Sequence, residues 1–145
     1  MFKHILVPID GSTHAKQAVA RAIAIATAFK SDVTAIYVID PYPFTGVGTD
    51  FAFGQAQYLS AATAEANAAI RETRNAFEAA GVPVHTSMVE GHVIARGILQ
   101  SAADIGADLI IMGSHGRRGL EKLLLGSVAQ RVVSQSPVAV MVVRG

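Results

Sequence analysis

Two stretches of the chain hold the residue types from which an anion-binding site is built. One is Asp10-Gly11-Ser12, directly after the apolar run at residues 5–9. The other is Gly113-Ser114-His115-Gly116-Arg117-Arg118-Gly119, directly after the apolar run at 109–112, with Gly126-Ser127 following. Gly113 and Gly116 lack a Cβ where backbone has to approach something closely, and glycine adopts positive φ cheaply. Gly126-Ser127 precedes an apolar-periodic run at 128–133. The N–H groups at a helix start have no partner within the helix, and the dipole there favours an anion. The Ser127 hydroxyl adds a donor, and Arg117 and Arg118 add fixed positive charge. An N–H bond to an anionic oxygen contributes about 1.5–3 kcal/mol net. These are the parts of a phosphate cradle. The plainer alternative is a glycine-rich connection with two solvated arginines. Asp10 also has two readings. It caps the following helix, or it accepts hydrogen bonds from a ribose or a base amine, and spacing alone supports both.

The elements that must position these residues alternate along the chain. Apolar, β-rich runs lie at 5–9, 33–39, 82–89, 109–112 and 138–143. The first, fourth and fifth are apolar at nearly every position, which predicts strands covered on both faces, as a parallel sheet requires. Between them apolar residues recur at helical spacing. These are Ala15, Ala18, Val19, Ala22, Ile23, Ala26 and Phe29, then Leu59, Ala62, Ala66, Ala69, Ile70, Thr73, Phe77 and Ala80. Ile94, Ile98, Leu99 and Ala102 form a third face, and Leu124, Val128, Val132 and Val133 a fourth. Gly81, Gly106 and Ser136-Pro137 are stop signals. The 25 alanines suit helices lying close on a sheet. The expectation is one α/β domain over residues 1–145, doubly wound and Rossmann-like. It has a five-stranded, mainly parallel sheet of order 3-2-1-4-5, helices on both faces and right-handed crossovers. Residues 41–54, rich in Pro and Gly, are expected to form a mobile loop. In such a sheet the ligand crevice lies beyond the carboxyl ends of the strands where strand order reverses. That places strands 1 and 4, and the two stretches above, on either side of it.

Composition narrows the field. The 145 residues are 51% hydrophobic and 16% charged, against about 25% charged in an average domain. A solvated, disordered chain needs the opposite balance. A domain of this length buries roughly 70% of its unfolded surface and holds a core without staples. The formal net charge of +1 argues against a nucleic-acid partner, which calls for a concentrated basic excess. The absence of cysteine excludes disulfides, thiolate metal sites and a cysteine nucleophile. No apolar run approaches the roughly 20 residues that span a bilayer, and Met1-Phe2-Lys3-His4 lacks a signal-peptide plan. The expectation is a cytoplasmic protein with no membrane partner.

Gly113-x2-Gly116-x9-Gly126-Ser127 resembles the nucleotide-binding signature of the universal stress protein family. The likeness extends to residues 5–12 and 137–143, and so to essentially the whole chain. It implies ATP as the ligand, with any Mg2+ carried by the phosphates. Asp10 would contact the ribose or adenine region, with Pro8 and Ile9 packing nearby. The Val38 backbone would read the adenine edge, and Met112 and Gly113 would lie by the ribose. Gly116, Gly126, Ser127 and Val128 would hold phosphates through N–H groups, with Ser114, His115, Arg117, Arg118 and Gly119 in the same loop. It also implies a homodimer through the last strand, with Val138, Val140 and Val142 at the interface. A long apolar edge strand invites such pairing; the alternative is a central strand covered by its neighbours.

Other chemistries fit less well. Zinc would need three of the five histidines to converge. The serines lack the nucleophile-elbow spacing, and a Gly-Lys-Ser/Thr phosphate loop is absent. Gly46-Val47-Gly48 lacks the third glycine of a dinucleotide fingerprint. No catalytic residue is assigned. The expected function is an ATP-binding stress-response or regulatory protein with slow or no turnover. The alternatives are a weak ATPase or phosphotransfer enzyme at the same site, and a dimeric interaction module that binds no nucleotide.

Overall fold

The structure is a computed structural model that describes residues 1–41, 49–116 and 124–144, with the side chains of 49–53 set aside. The elements run β1 (His4–Pro8), α1 (Thr13–Phe29), β2 (Asp32–Ile39), α2 (Thr49–Ala79), β3 (His85–Glu90), α3 (Ile94–Ile105), β4 (Leu109–Gly113), α4 (Ser127–Gln135) and β5 (Ala139–Val143). The sheet order is β3-β2-β1-β4-β5, and all four pairings are parallel. Both the doubly wound architecture and the strand order agree with the sequence.

Two-residue alternation of side chains across a strand explains the unbroken apolar runs. Ile5, Val7, Val33, Tyr37, Leu109 and Ile111 point to one face and pack on Ala18, Ala22, Ala66, Ile70 and Phe77 of α1 and α2. Leu6, Ile36, Val38, Ile110 and Met112 point to the other and pack on Ile98, Ala102, Ala129 and Val132 of α3 and α4. Both faces are therefore covered over β1, β2 and β4.

Three expectations change. β5 lies at the edge of the sheet, as the expected order places it, but it is not covered on both faces: Ala139 is exposed and Val140, Met141 and Val142 are half-buried. Helices lie over the sheet's middle and reach its last strand only in part. The second helix begins at Thr49, inside the segment expected to be a loop. Of the glycines that suggested a loop there, only Gly54 falls in the helix, where one glycine costs about 1 kcal/mol. The rest of that segment, 42–48, lies outside the described residues. With 31 residues, α2 is about 46 Å long, against about 26 Å for β2. Among its described side chains the fully buried ones begin at Ala66, with Leu59 and Ala62 packed in part against the core, so its extra length lies at its start, on the carboxyl side of the strands. Phe29 and Leu124, placed on core faces by their spacing, are 49% and 64% exposed; the Phe29 ring meets Phe2 edge-on at 5.5 Å.

The opposite edge of the sheet is tied by Asp108. Its carboxylate accepts from the Lys3 and His4 amides at 2.9 and 3.1 Å, and its own N–H donates to the His4 carbonyl at 3.0 Å. Partial burial works against its charge. The amides of Lys3 and His4, its own N–H and the N-terminal ammonium outweigh that, and its pKa is lowered from the usual carboxylate value. A lowered folded-state pKa contributes stability above the unfolded value of about 3.9, lost as pH falls through the folded value. Asp108→Asn is therefore expected to destabilise the protein at pH 6. The difference from the parent should shrink toward zero as pH falls through the lowered value of the folded-state carboxyl, as chemical denaturation at each pH will measure.

Candidate functional site

The chain order reverses between β1 and β4, and the loops leaving these strands meet at their carboxyl ends. On the β1 side the Ile9 N–H donates to the Ile36 carbonyl at 2.8 Å, which holds the strand end against β2. Gly11 then takes φ +80°, a conformation glycine adopts without a Cβ penalty. Ser12 caps α1 and its hydroxyl accepts from the Ala15 N–H at 3.1 Å. The capping role considered for Asp10 thus falls to Ser12. Asp10 shapes the turn before it, its Oδ1 accepting from the Ser12 N–H at 2.9 Å.

The three motif glycines of the β4 side serve three different neighbours. A Cβ on Gly113 would lie 2.7 Å from His14 Cβ and 2.8 Å from its carbonyl carbon. This glycine lets the first turn of α1 press on the end of β4. A Cβ on Gly116 would lie 2.8 Å from Asp10 Oδ2, so the two loops touch at that point. A Cβ on Gly126 would lie 3.1 Å from the Ser114 carbonyl oxygen and 3.3 Å from His115 Cα.

Ser114 is the centre of this arrangement. It is 1% exposed. Its N–H donates to the Val143 carbonyl at 2.9 Å, and its own carbonyl accepts from the Gly126 N–H at 2.6 Å. Its hydroxyl shares a hydrogen bond with His115 Nδ1 at 3.0 Å. Gly126 is the N-cap of α4 and, having no side chain, leaves the helix start without a side-chain cap. Ser127 is exposed and Val128 half-buried. The first amides of α4 therefore stand beside the His115 turn without a side-chain partner at the cap, an arrangement that could hold an anion.

Val38 lies at the far side of β1. Ile36 accepts from Ile9, so its polar groups face β1. Two residues on, Val38 aims its N–H and carbonyl the same way, past Pro8, the last β1 residue paired with β2. Its side chain is held by α3, where a Cβ on Gly97 would lie 3.1 Å from Val38 Cγ1. Met112 buries its side chain in the core, and Ile9 does the same on the opposite face. The half-buried Pro8 ends β1. Arg117, Arg118 and Gly119 lie outside the described residues.

The sequence reading missed two residues here. Gly97 is one, and the other is His14, whose ring lies 5.4 Å from that of His115, centroid to centroid, with the planes at 55°. Neither has a sequence signal, because each matters through a neighbour remote in the chain. The remaining histidines go elsewhere. His92 meets Asp40 at 3.3 Å, His85 opens β3, and His4 pairs with the Thr34 hydroxyl at 2.9 Å. A separate hollow of about 170 Å³ between α1 and α2 is lined by Ile9, Gly11, Ala15, Val19, Ala69 and Thr73 among others. None of the three motif glycines of the β4 side takes part in it.

A five-stranded, doubly wound parallel sheet with a glycine-lined turn at its switch point places the chain among the open-sheet α/β proteins. The chain belongs to the universal stress protein family, whose model matches residues 1–144. It is 40% identical to universal stress protein MJ0531 of Methanocaldococcus jannaschii over 99% of this chain and 83% of that one. Among solved structures, universal stress protein UspA from Lactobacillus plantarum superimposes with a TM-score of 0.89 at 28% identity, covering 99% of this chain and 98% of that one. A universal stress protein in complex with cAMP gives a TM-score of 0.73 at 25% identity, over 99% and 97% of the two chains.

Because His14 backbone rather than a flexible side-chain tip blocks the Gly113 Cβ position, Gly113→Ala is expected to cost about 1–3 kcal/mol. That corresponds to a fall in Tm of roughly 3–10 °C at this chain length. An unchanged melting curve would mean that α1 moves off β4 freely.

Proposed function

We propose that this protein is an ATP-binding regulatory protein with slow or no turnover, acting as a homodimer. The observation that carries the reading is the uncapped start of α4 at Gly126 beside the His115–Gly116 turn, at the point where strand order reverses. Backbone donors there suit the phosphates, with the Ser127 hydroxyl and Arg117 and Arg118 as further donors. Asp10, across the crevice at Gly116, is an acceptor and suits ribose hydroxyls rather than phosphate oxygens. The outward-facing N–H and carbonyl of Val38 match the donor–acceptor edge of an adenine. The solved family member in complex with cAMP supports an adenine nucleotide as the ligand class. Any Mg2+ would enter with the phosphates. A ligand that binds only the folded chain stabilises it by RT ln(1 + [L]/Kd), and this is the regulatory signal.

The dimer reading rests on β5. Val143 accepts from Ser114, so its polar groups, and those of Met141, face β4. By alternation Val140 and Val142 aim theirs at the open edge. The other edge strand, β3, carries His85, Thr86, Ser87 and Glu90, polar residues that discourage pairing, whereas β5 carries only apolar ones.

Two substitutions test the reading. Gly116→Val places a side chain where the Asp10 carboxylate lies, at a position exposed to solvent. It is expected to lower ATP affinity about tenfold or more in calorimetry, the loss of a charge-assisted bond, while the protein still melts cooperatively. An unchanged affinity would refute the cradle. Val140→Lys is expected to convert the dimer to monomer in light scattering. A variant that stays dimeric would place the interface away from β5.

A further inference from the structure

We propose that His14 and His115 form a two-imidazole grip on the distal phosphates, so that the site grades its nucleotides by phosphate number. The proposal rests on the nucleotide-binding reading above and adds to it a residue from α1 and a rule of selectivity.

His14 is the second residue of α1. Its Cβ and carbonyl are held against Gly113 by the contact that only glycine permits there. The ring is thereby set at the carboxyl end of β4, and its centroid lies 5.4 Å from that of His115. The His115 ring is fixed in turn from behind. Its Nδ1 shares a hydrogen bond with the buried Ser114 hydroxyl at 3.0 Å, and its Cδ2 lies 3.6 Å from the Cβ position of Gly126, the N-cap of α4. The line of groups therefore runs from His14 through His115 to the uncapped amides of α4. Both rings are half-buried, and each still presents part of its surface to solvent.

Their chemistry suits a polyanion. An imidazole donates from one nitrogen when neutral and from both when charged, so each ring carries a donor suited to a phosphate oxygen. A carboxylate also borders this crevice, Asp10 on the β1 side at Gly116. Phosphate oxygens are drawn away from it toward the imidazoles and the helix start, and ribose hydroxyls are left to it. Lys16, two residues further along α1, is engaged by Glu72 at 3.1 Å. A nucleoside monophosphate fills the α4 amides alone, whereas a triphosphate also reaches the two rings.

The test measures equilibrium binding of ATP, ADP, AMP and inorganic tripolyphosphate to the parent protein, His14→Ala and His14→Gln. Alanine keeps the Cβ that packs on Gly113, so the α1–β4 contact survives. The expected result is a loss of about tenfold for ATP and tripolyphosphate in His14→Ala, with AMP within about twofold. His14→Gln, which restores an N–H donor, should recover most of it. Equal weakening of AMP and ATP would reduce His14 to a structural role and overturn the grip, as would no weakening at all. If the parent binds tripolyphosphate as tightly as ATP, the adenine reading fails, and the His14→Ala result still decides the grip. If the parent binds none of the four, both fall together.

Discussion

The site depends on one buried serine. The Ser114 N–H reaches β5, its carbonyl reaches the start of α4, and its hydroxyl reaches the His115 ring. A backbone polar group buried without a partner costs as much as a lost hydrogen bond, so these bonds are obligatory once the β4 end is covered. Meeting them sets where α4 begins relative to the β4 turn. At Gly126 the donor that Ser114 requires brings the Cβ position to 3.1 Å from the Ser114 carbonyl oxygen and 3.3 Å from His115 Cα, so a side chain there would push its neighbours back by a few tenths of an ångström. With no side chain at the N-cap, the helix start is left open to the crevice. The uncapped helix is thus a consequence of packing behind the turn.

Much of the fold is legible in the sequence, for a definite reason. A strand covered on both faces is apolar at successive positions, and residues 5–9 and 109–112 carry that pattern because helices lie above and below them. The same pattern misleads at β5, where it marks a strand edge with apolar side chains on both faces and only partial cover. Periodicity reports what a strand is able to bury, not what is present to bury it. The start of α2 was hidden by the opposite failing. Its extra length lies at its start, which lacks the apolar stripe that packing on a strand demands, and the neighbouring glycines and prolines suggest a loop.

In the site, the sequence shows that glycines occur and where, but not what each one admits. Gly113, Gly116 and Gly126 look alike as letters. In the structure they admit a helix turn, a carboxylate and a carbonyl. The capping role that spacing offered to Asp10 falls to Ser12, while Asp10 accepts from the Ser12 N–H in the turn before the helix, because an Asx turn and a helix cap lie two residues apart in a segment where both residue types are present. His14 was silent because its meaning lies in a contact with the β4 turn, reached only after two further strands and two helices have been laid down.

The sheet separates what holds the fold from what lies open at the crevice, but not completely. At the amino edge Asp108 joins the start of β1 to the start of β4, far from the crevice. At the carboxyl edge Val38 of β2 aims its backbone past the last paired residue of β1. The separation fails at Gly113 and Ser114, where the groups that pack α1 and β5 are also those that aim the α4 amides. The bond from Ser114 to Val143 makes the last strand part of the same hydrogen-bonded unit as the cradle. A displacement of β5 must then either stretch that bond or carry the β4 turn with it. Coupling between the open edge and the crevice therefore needs no long pathway. The Ser114–Val143 bond and the β4–β5 ladder beside it join the two directly.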